Sequence, residues 1–283
     1  MLKLKVCLFI VISFIASGLN GQTRTNLTVI AVSEDLSITK LQDSVYIFTH
    51  SFPWASNGMF VLFPGGKGLL INTPCENSGT ESLLGWIGKN FGNLNLTAIV
   101  TGFHQDNLGG DEVLLSRKIP VYGADLTAEL VKNKGKEFKN LLLNLVASSR
   151  YNRFYEGYKK LNLIPPDRLF PLNDGLKLKY DDELVEVYFP GESHTIDNTV
   201  VYFHKRKILF GGCMIKGLEF DNPGFTEYAN MIEWPRSVQR VMKRFGDSIV
   251  VIPGHGSAGG MELLSHMIAV LNKWNNQKAK TTE

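Results

Sequence analysis

Cysteine is scarce in this chain. There are three in 283 residues, and Cys7 lies in an N-terminal apolar run, so Cys75 and Cys213 could form one disulfide at most. A basic tract is missing too. The formal net charge is +3 and no repeated mixture of basic and aromatic residues occurs, which removes the electrostatic footprint expected of a nucleic-acid partner. Nor does the apolar run Val6 to Ala16 reach the roughly 20 residues needed to cross a bilayer. It follows Lys3 and Lys5 and ends in Ala16-Ser17-Gly18, the order of a secretory signal. Cleavage is expected between Gly18 and Gln22, with residues 1–21 as the signal, residues 22–283 as an exported domain and no stable membrane association afterwards. Loss of Lys3 and Lys5 takes the charge from +3 to +1, because no acidic residue leaves with them. A long polar linker is also absent, so the remaining length reads as one domain.

What is present is a repeated alternation of strands and helices. Strands are predicted at Val45 to Thr49, Met59 to Phe63, Gly68 to Asn72, Leu96 to Val100 and Ile119 to Tyr122. Helices are predicted at Thr80 to Phe91, Leu108 to Leu115 and Asp125 to Val131. After Pro166 the pattern begins again, with strands at Leu176 to Lys179, Leu184 to Phe189, Thr199 to Phe203, Ile208 to Phe210 and Ile249 to Ile252, and helices at Tyr228 to Arg244, interrupted or started at Pro235, and Met261 to Trp274. Two such runs suggest an α/β protein with two sheets face to face and helices outside. Lys134 to Leu163, with leucine and aromatic residues at helical spacing, reads as an outer-layer helix or helix pair, with a substrate-covering lid as the alternative.

Five potential metal ligands stand beside glycines at the ends of short apolar runs: His104, Asp106, His194, Cys213 and His255. Such positions let side chains from distant parts of a chain converge on one ion. Zinc accepts imidazole, thiolate and carboxylate, and a catalytic zinc keeps one position for water. Asp106, Cys213 and His255 give a three-ligand set in which two anionic donors offset the cation's charge; His104 and His194 give a second, weaker pair. Singly, each has a plainer role: Asp106 as a helix cap, His194 as a satisfied polar residue, Cys213 as a disulfide partner. Their joint occurrence favours the metal. His50, His204 and His266 lack the glycine setting and read as non-ligands.

The motifs His104-Gln105-Asp106, His194-Thr195-Ile196-Asp197-Asn198, Gly211-Gly212-Cys213-Met214-Ile215-Lys216 and Pro253-Gly254-His255-Gly256 resemble those of the metallo-β-lactamases, of the subclass with cysteine in the second zinc site. The similarity runs from about Val45 to Trp274. It implies a four-layer αβ/βα sandwich with a groove at one edge, a periplasmic location and, for the chain, a monomer. It implies hydrolysis of the β-lactam amide of antibiotics by water activated at zinc, with zinc helping to stabilise the departing nitrogen. By the same resemblance Lys216 holds the substrate carboxylate, with a solvated surface lysine as the alternative. The hairpin Ser51 to Gly58 resembles a mobile flap whose Phe52 or Trp54 touches substrate, though either residue could be core.

Departures from the pattern cluster. Gly102 stands where the first histidine of His-x-His-x-Asp belongs, Asn107 where arginine is common, Asn72 where an aspartate lies beneath the metals, and Phe225 where an asparagine polarises the substrate carbonyl. The expectation is one zinc held tightly by Asp106, Cys213 and His255, a second weak or absent at His104 and His194, and Asp106 or His104 positioning or deprotonating water. The competing expectations are a zinc hydrolase of another ester, lactone or amide, and an exported zinc-binding protein without turnover.

Overall fold

The computed structural model describes residues 28–148 and 150–281. The expected signal segment lies outside these residues. Among the described residues, eight strands form the first sheet in chain order: β1 (Val29–Ala31), β2 (Leu36–Gln42), β3 (Val45–Ser51), β4 (Ala55–Phe63), β5 (Lys67–Ile71), β6 (Asn95–Ile99), β7 (Val121–Ala124) and β8 (Arg168–Phe170). Strands β1 to β5 pair antiparallel, and β5 to β8 pair parallel. The change of sense needs crossovers, and helices supply them: α1 (Asn77–Phe91) between β5 and β6, then α2 (Gln105–Leu108) and α3 (Asp111–Ser116) before β7. Helices α4 (Asp125–Val146) and α5 (Tyr155–Lys160) precede β8.

The second sheet holds β9 (Leu176–Tyr180), β10 (Glu183–Tyr188), β11 (Val200–Phe203), β12 (Ile208–Lys216) and β13 (Val250–His255), in the order β13-β12-β11-β10-β9. Here β12 and β13 run parallel and the other pairs antiparallel. Helices α6 (Trp234–Arg244) and α7 (Glu262–Thr281) follow the last turns.

Alternation along the strands sorts the side chains into layers. Val45, Ile47, Met59, Val61, Leu69 and Ile71 of the first sheet meet Val185, Val201, Phe203, Ile208 and Phe210 of the second. Their neighbours Phe48, Phe60 and Leu70 face outward onto α1 and α4, through Leu83, Ile87, Phe138 and Leu142. On the far side, Val200, Tyr202 and Leu209 pack on Trp234, Val238 and Val241 of α6 and Leu264, Met267 and Leu271 of α7. Four layers result, as the sequence suggests. Each fully buried aliphatic side chain in them contributes roughly 1.5–3 kcal/mol. Helix α1 starts where the Glu76 carboxylate accepts from Gly79 N at 2.7 Å and Ser78 N at 3.0 Å.

Several boundaries differ from expectation for physical reasons. The helix expected over Leu108 to Leu115 is two short ones, broken at Gly109-Gly110, where a Cβ at Gly109 would lie 2.2 Å from Cys75 O. The helix expected at Asp125 to Val131 runs on to Val146, absorbing half of the outer-layer segment. Of the alternatives for the helix expected over Tyr228 to Arg244, the structure takes the start at Pro235: α6 begins at Trp234 with Pro235 in its first turn, because proline's fixed φ and missing donor suit that position. Strands β1, β2 and β8 are additions to the predicted set. Most important for the site, the strand predicted to stop at Phe210 continues to Lys216, with register shifts around Gly212, whose φ is 54°. Cys213 therefore lies within a bulged strand, not in a turn after it.

Candidate metal centre

The loop after β6 and the first turn of α2 supply His104 and Asp106. His104 is the N-cap residue, in extended geometry, and Asp106 sits in the first helical turn, where exposed backbone N–H groups favour a carboxylate. Cys213 comes from the bulge of β12, His255 from the last residue of β13, and His194 from the connection between β10 and β11.

Three of these donors converge. The ligand atoms of Asp106, Cys213 and His255 all lie within 4.8 Å of one another. His255 Nε2 is 3.2 Å from Asp106 Oδ2, and Cys213 Sγ is 3.4 Å from the same oxygen. His255 Nδ1 lies 2.8 Å from the Ala55 carbonyl, which can only accept, so Nδ1 carries a hydrogen and Nε2 is the nitrogen turned toward Asp106. Cys75 and Cys213 are both free, which removes the disulfide alternative. Burial, with the Asp106 charge next, raises the Cys213 thiol well above its ordinary value. Burial also acts to raise the Asp106 pKa, but the His255 hydrogen bond and the neighbouring imidazoles hold it below the usual carboxylate range. A thiol proton kept on a sulfur that points at a carboxylate is the proton a soft divalent cation displaces on binding. The donor set of carboxylate, thiolate and imidazole fits zinc.

The histidine pair is built differently. His104 and His194 stand edge to face with ring centroids 5.1 Å apart, outside the three-donor cluster. His104 Nε2 and His194 Nδ1 are buried without a hydrogen-bond partner. Phe138 of α4 stacks on the His104 ring at 4.5 Å and 14°, while Phe103, Phe225 and Tyr228 close its other sides. Burial is the main reason that His104 titrates low, at about 4, so its ring is neutral near pH 7. His194 is likewise pushed well down, by burial and then by His104.

Gly102 explains why the second half is incomplete. A Cβ there would lie 2.4 Å from Asn198 Nδ2. That amide is not free to leave. Asn198 Oδ1 accepts from Thr195 N at 2.8 Å and Ser193 Oγ at 3.3 Å, and Nδ2 donates to Thr101 O at 3.4 Å. Asp197 beside it accepts from Thr127 Oγ1 at 2.7 Å and Thr195 Oγ1 at 2.6 Å. Burial raises its pKa to about 6, the hydrogen bonds offsetting only part of the effect.

Two other departures prove to be one. Asn72 Nδ2 donates to Asn107 Oδ1 at 2.8 Å, and Asn72 Oδ1 accepts from Thr101 N at 2.9 Å. Asn107 Nδ2 then reaches Asp106 Oδ1 at 3.2 Å and Cys213 Sγ at 3.4 Å. A neutral amide pair thus stands where the sequence comparison expects an aspartate and an arginine, and it braces two of the three clustered donors. Sequence reading marks both positions as departures, without a signal that they touch.

Lys216 ends β12 and is only 6% exposed, which rules out a solvated surface lysine. Its Nζ lies 5.3 Å over the Phe220 ring, and burial lowers its pKa, with Cys213 and Asp106 working against that effect. Phe225 packs partly buried against His104 and Phe138. Of the two alternatives for Phe52 the structure shows the core one: it is 9% exposed and packed on His50, Phe154 and Tyr158. Trp54 is 37% exposed at the hairpin tip, edge-on to Tyr151. Of the histidines set aside, His50 Nδ1 accepts from Cys75 N, His204 pairs with Glu186, and His266 Nε2 meets Phe220 O. Phe138 and Tyr158 carry no motif that would place them at the site; helical periodicity assigns both to the outer layer.

Comparison with protein-family models finds no match. Curated sequences do match: a metallo-β-lactamase type 2 of Pseudomonas aeruginosa is 30% identical over 259 residues, covering 89% of this chain and 91% of the relative. One of Bacteroides fragilis is 29% identical over 257 residues, with the same shares covered. Among solved structures, a metallo-β-lactamase from Pontibacter korlensis superposes with a TM-score of 0.71 at 32% identity, over 84% of this chain and 99% of that one. The chain belongs to the metallo-β-lactamase family.

Proposed function

We propose that this protein hydrolyses the amide bond of β-lactams with one zinc ion held by Asp106, Cys213 and His255. The observation that carries this reading is the convergence of those three donors within 4.8 Å, in a chain whose relatives are named metallo-β-lactamases. Zinc bound there supplies Lewis acidity, which brings the pKa of water toward about 7 and offsets negative charge in the transition state.

The chain's own groups divide the remaining work. Asp106, held anionic, orients the attacking water through the carboxylate oxygen not shared with Cys213 and His255. His104, neutral near pH 7 with an unpartnered Nε2, takes the water proton as the oxygen attacks the carbonyl carbon. As the C–N bond breaks, the same imidazole returns that proton to the amide nitrogen. Lys216 pairs with the substrate carboxylate, a charge-assisted contact strengthened by its burial. Phe225 and Trp54 offer apolar contact to substituents of the substrate. His194 orients His104 across the edge-to-face contact and does not hold a second tight ion. The exported domain works as a monomer in the periplasm. Among the described residues no helix is long and apolar enough to cross a membrane.

Turnover of a chromogenic cephalosporin tests the reading. Activity lost to a chelator, restored by zinc and abolished by Cys213→Ala is the expected result; turnover indifferent to both treatments contradicts it.

A further inference from the structure

The start of β4, just after the β3–β4 turn, reaches the site from two directions. Ala55 O accepts the Nδ1 hydrogen of His255 at 2.8 Å. Two residues on, Asn57 Nδ2 donates to Pro253 O at 3.0 Å and Gly256 O at 2.7 Å, on either side of His255. The aim of this imidazole therefore depends on where the hairpin stands. A histidine that binds metal through one nitrogen is oriented, and its tautomer fixed, by what accepts from the other, and such partners change metal affinity by about 10–100-fold.

The hairpin is fastened from outside. Tyr158 of α5, fully buried, donates its hydroxyl hydrogen to Phe52 O at 2.7 Å. Its ring and that of Phe154 grip the Phe52 side chain at 5.1 Å and 4.9 Å. Gly157 makes this approach possible, since a Cβ there would lie 2.3 Å from Phe52 Cζ. Tyr158 Oη also accepts from Gln105 Nε2 at 3.5 Å, and Gln105 stands between His104 and Asp106. Burial raises the phenol well above its ordinary pKa, so it stays a donor at any working pH. One hydroxyl thus ties the turn that orients His255 to the loop that carries Asp106.

We propose that Tyr158 is a positioning residue for the metal site: it locks the β3–β4 turn in place, so that the Ala55 carbonyl fixes the tautomer and direction of His255. The hairpin then acts as a fixed brace and not as a flap that closes on substrate. This assignment rests on the zinc reading of the three donors. Phe52, the residue a mobile flap would present, is the one that is gripped.

Tyr158→Phe in the mature chain tests it, because the change removes one oxygen and keeps the ring. In metal-free protein, imidazole NMR should show the His255 Nδ1 hydrogen of the unaltered chain exchanging slowly, held by the Ala55 carbonyl, and that of the variant exchanging fast. Zinc affinity in the variant should fall by about tenfold, with the loss of turnover in kcat while KM stays unchanged. Unchanged hydrogen exchange and zinc affinity, with KM raised, would overturn the proposal and make the hairpin a substrate flap. If the unaltered chain binds no zinc, the metal reading fails, and the exchange measurement alone decides the role of Tyr158. Should Tyr158→Phe fold poorly, Phe52→Leu loosens the same anchor and is read by the same NMR signal.

Discussion

The two halves of the site draw on the same short loop, yet they differ in construction. Asp106, Cys213 and His255 face one another with lone pairs and a displaceable proton, and Asn107 and Ala55 support them through donors and acceptors. Around His104 and His194 the neighbours are aromatic rings, and the place of a third ligand is taken up by the Asn198 amide against Gly102. A polar shell that satisfies each donor prepares one side for a cation. An apolar shell and a filled space leave the other as a pair of neutral bases. Loss of a ligand here goes with remodelling of the packing around it, and so is not undone by restoring the ligand alone.

The largest expected effect breaks the first half. Cys213→Ala should abolish high-affinity zinc binding and turnover together, measured by equilibrium dialysis and a cephalosporin assay, with a loss beyond the 10–100-fold typical of outer-shell changes. A variant that keeps both would mean that the convergence of the three donors has no chemical consequence.

The dryness of the second half has its own signature. Folding raises the Asp197 pKa from the model-peptide value of 3.8 to about 6, so the folded state holds a proton that the unfolded chain releases in that interval. That contribution to stability is whole below pH 3.8 and is lost as the pH rises through about 6. Relative to the unaltered protein, Asp197→Asn should gain up to about 3 kcal/mol between pH 4 and pH 7 in urea unfolding. A difference that is flat with pH would show the carboxyl solvated and the region wet.

Gly102→His probes the second half from the opposite side. Because its Cβ meets Asn198 Nδ2, the single change should destabilise the fold by about 1–3 kcal/mol and add no second tight zinc. Combined with Asn198→Ala it should recover part of that stability and bind a second equivalent, which native mass spectrometry would count. The smallest effect is expected at Asn107→Ala, which leaves all ligands and removes a brace shared by Asp106 and Cys213; zinc affinity should fall by about tenfold.

Much of this arrangement was legible in the sequence, and the limits have physical reasons. Strand alternation gives the two sheets and outer helices, because burial on one face imposes a period of two. The glycine-flanked motifs point to Asp106, Cys213 and His255, which the fold brings together, and to His104 and His194, which it brings together separately. The continuation of β12 through Cys213 was hidden by Gly211-Gly212, which reads as a turn but here forms a bulge against β13. The sequence left open whether Phe52 is exposed or core, because a hairpin aromatic looks the same whether it faces a groove or a helix. Only the tertiary approach of α5, which Gly157 permits, decides the matter. The Asn72–Asn107 bond and the stacking of Phe138 on His104 depend on chain separations that local pattern does not encode.

Counting metal ions tests the central claim most directly. Mature protein equilibrated with excess zinc and dialysed against metal-free buffer should retain one equivalent per chain, lost on Cys213→Ala and unaffected by His194→Ala. Two retained equivalents, or one that survives Cys213→Ala and leaves with His194→Ala, would contradict the assignment of the metal to Asp106, Cys213 and His255.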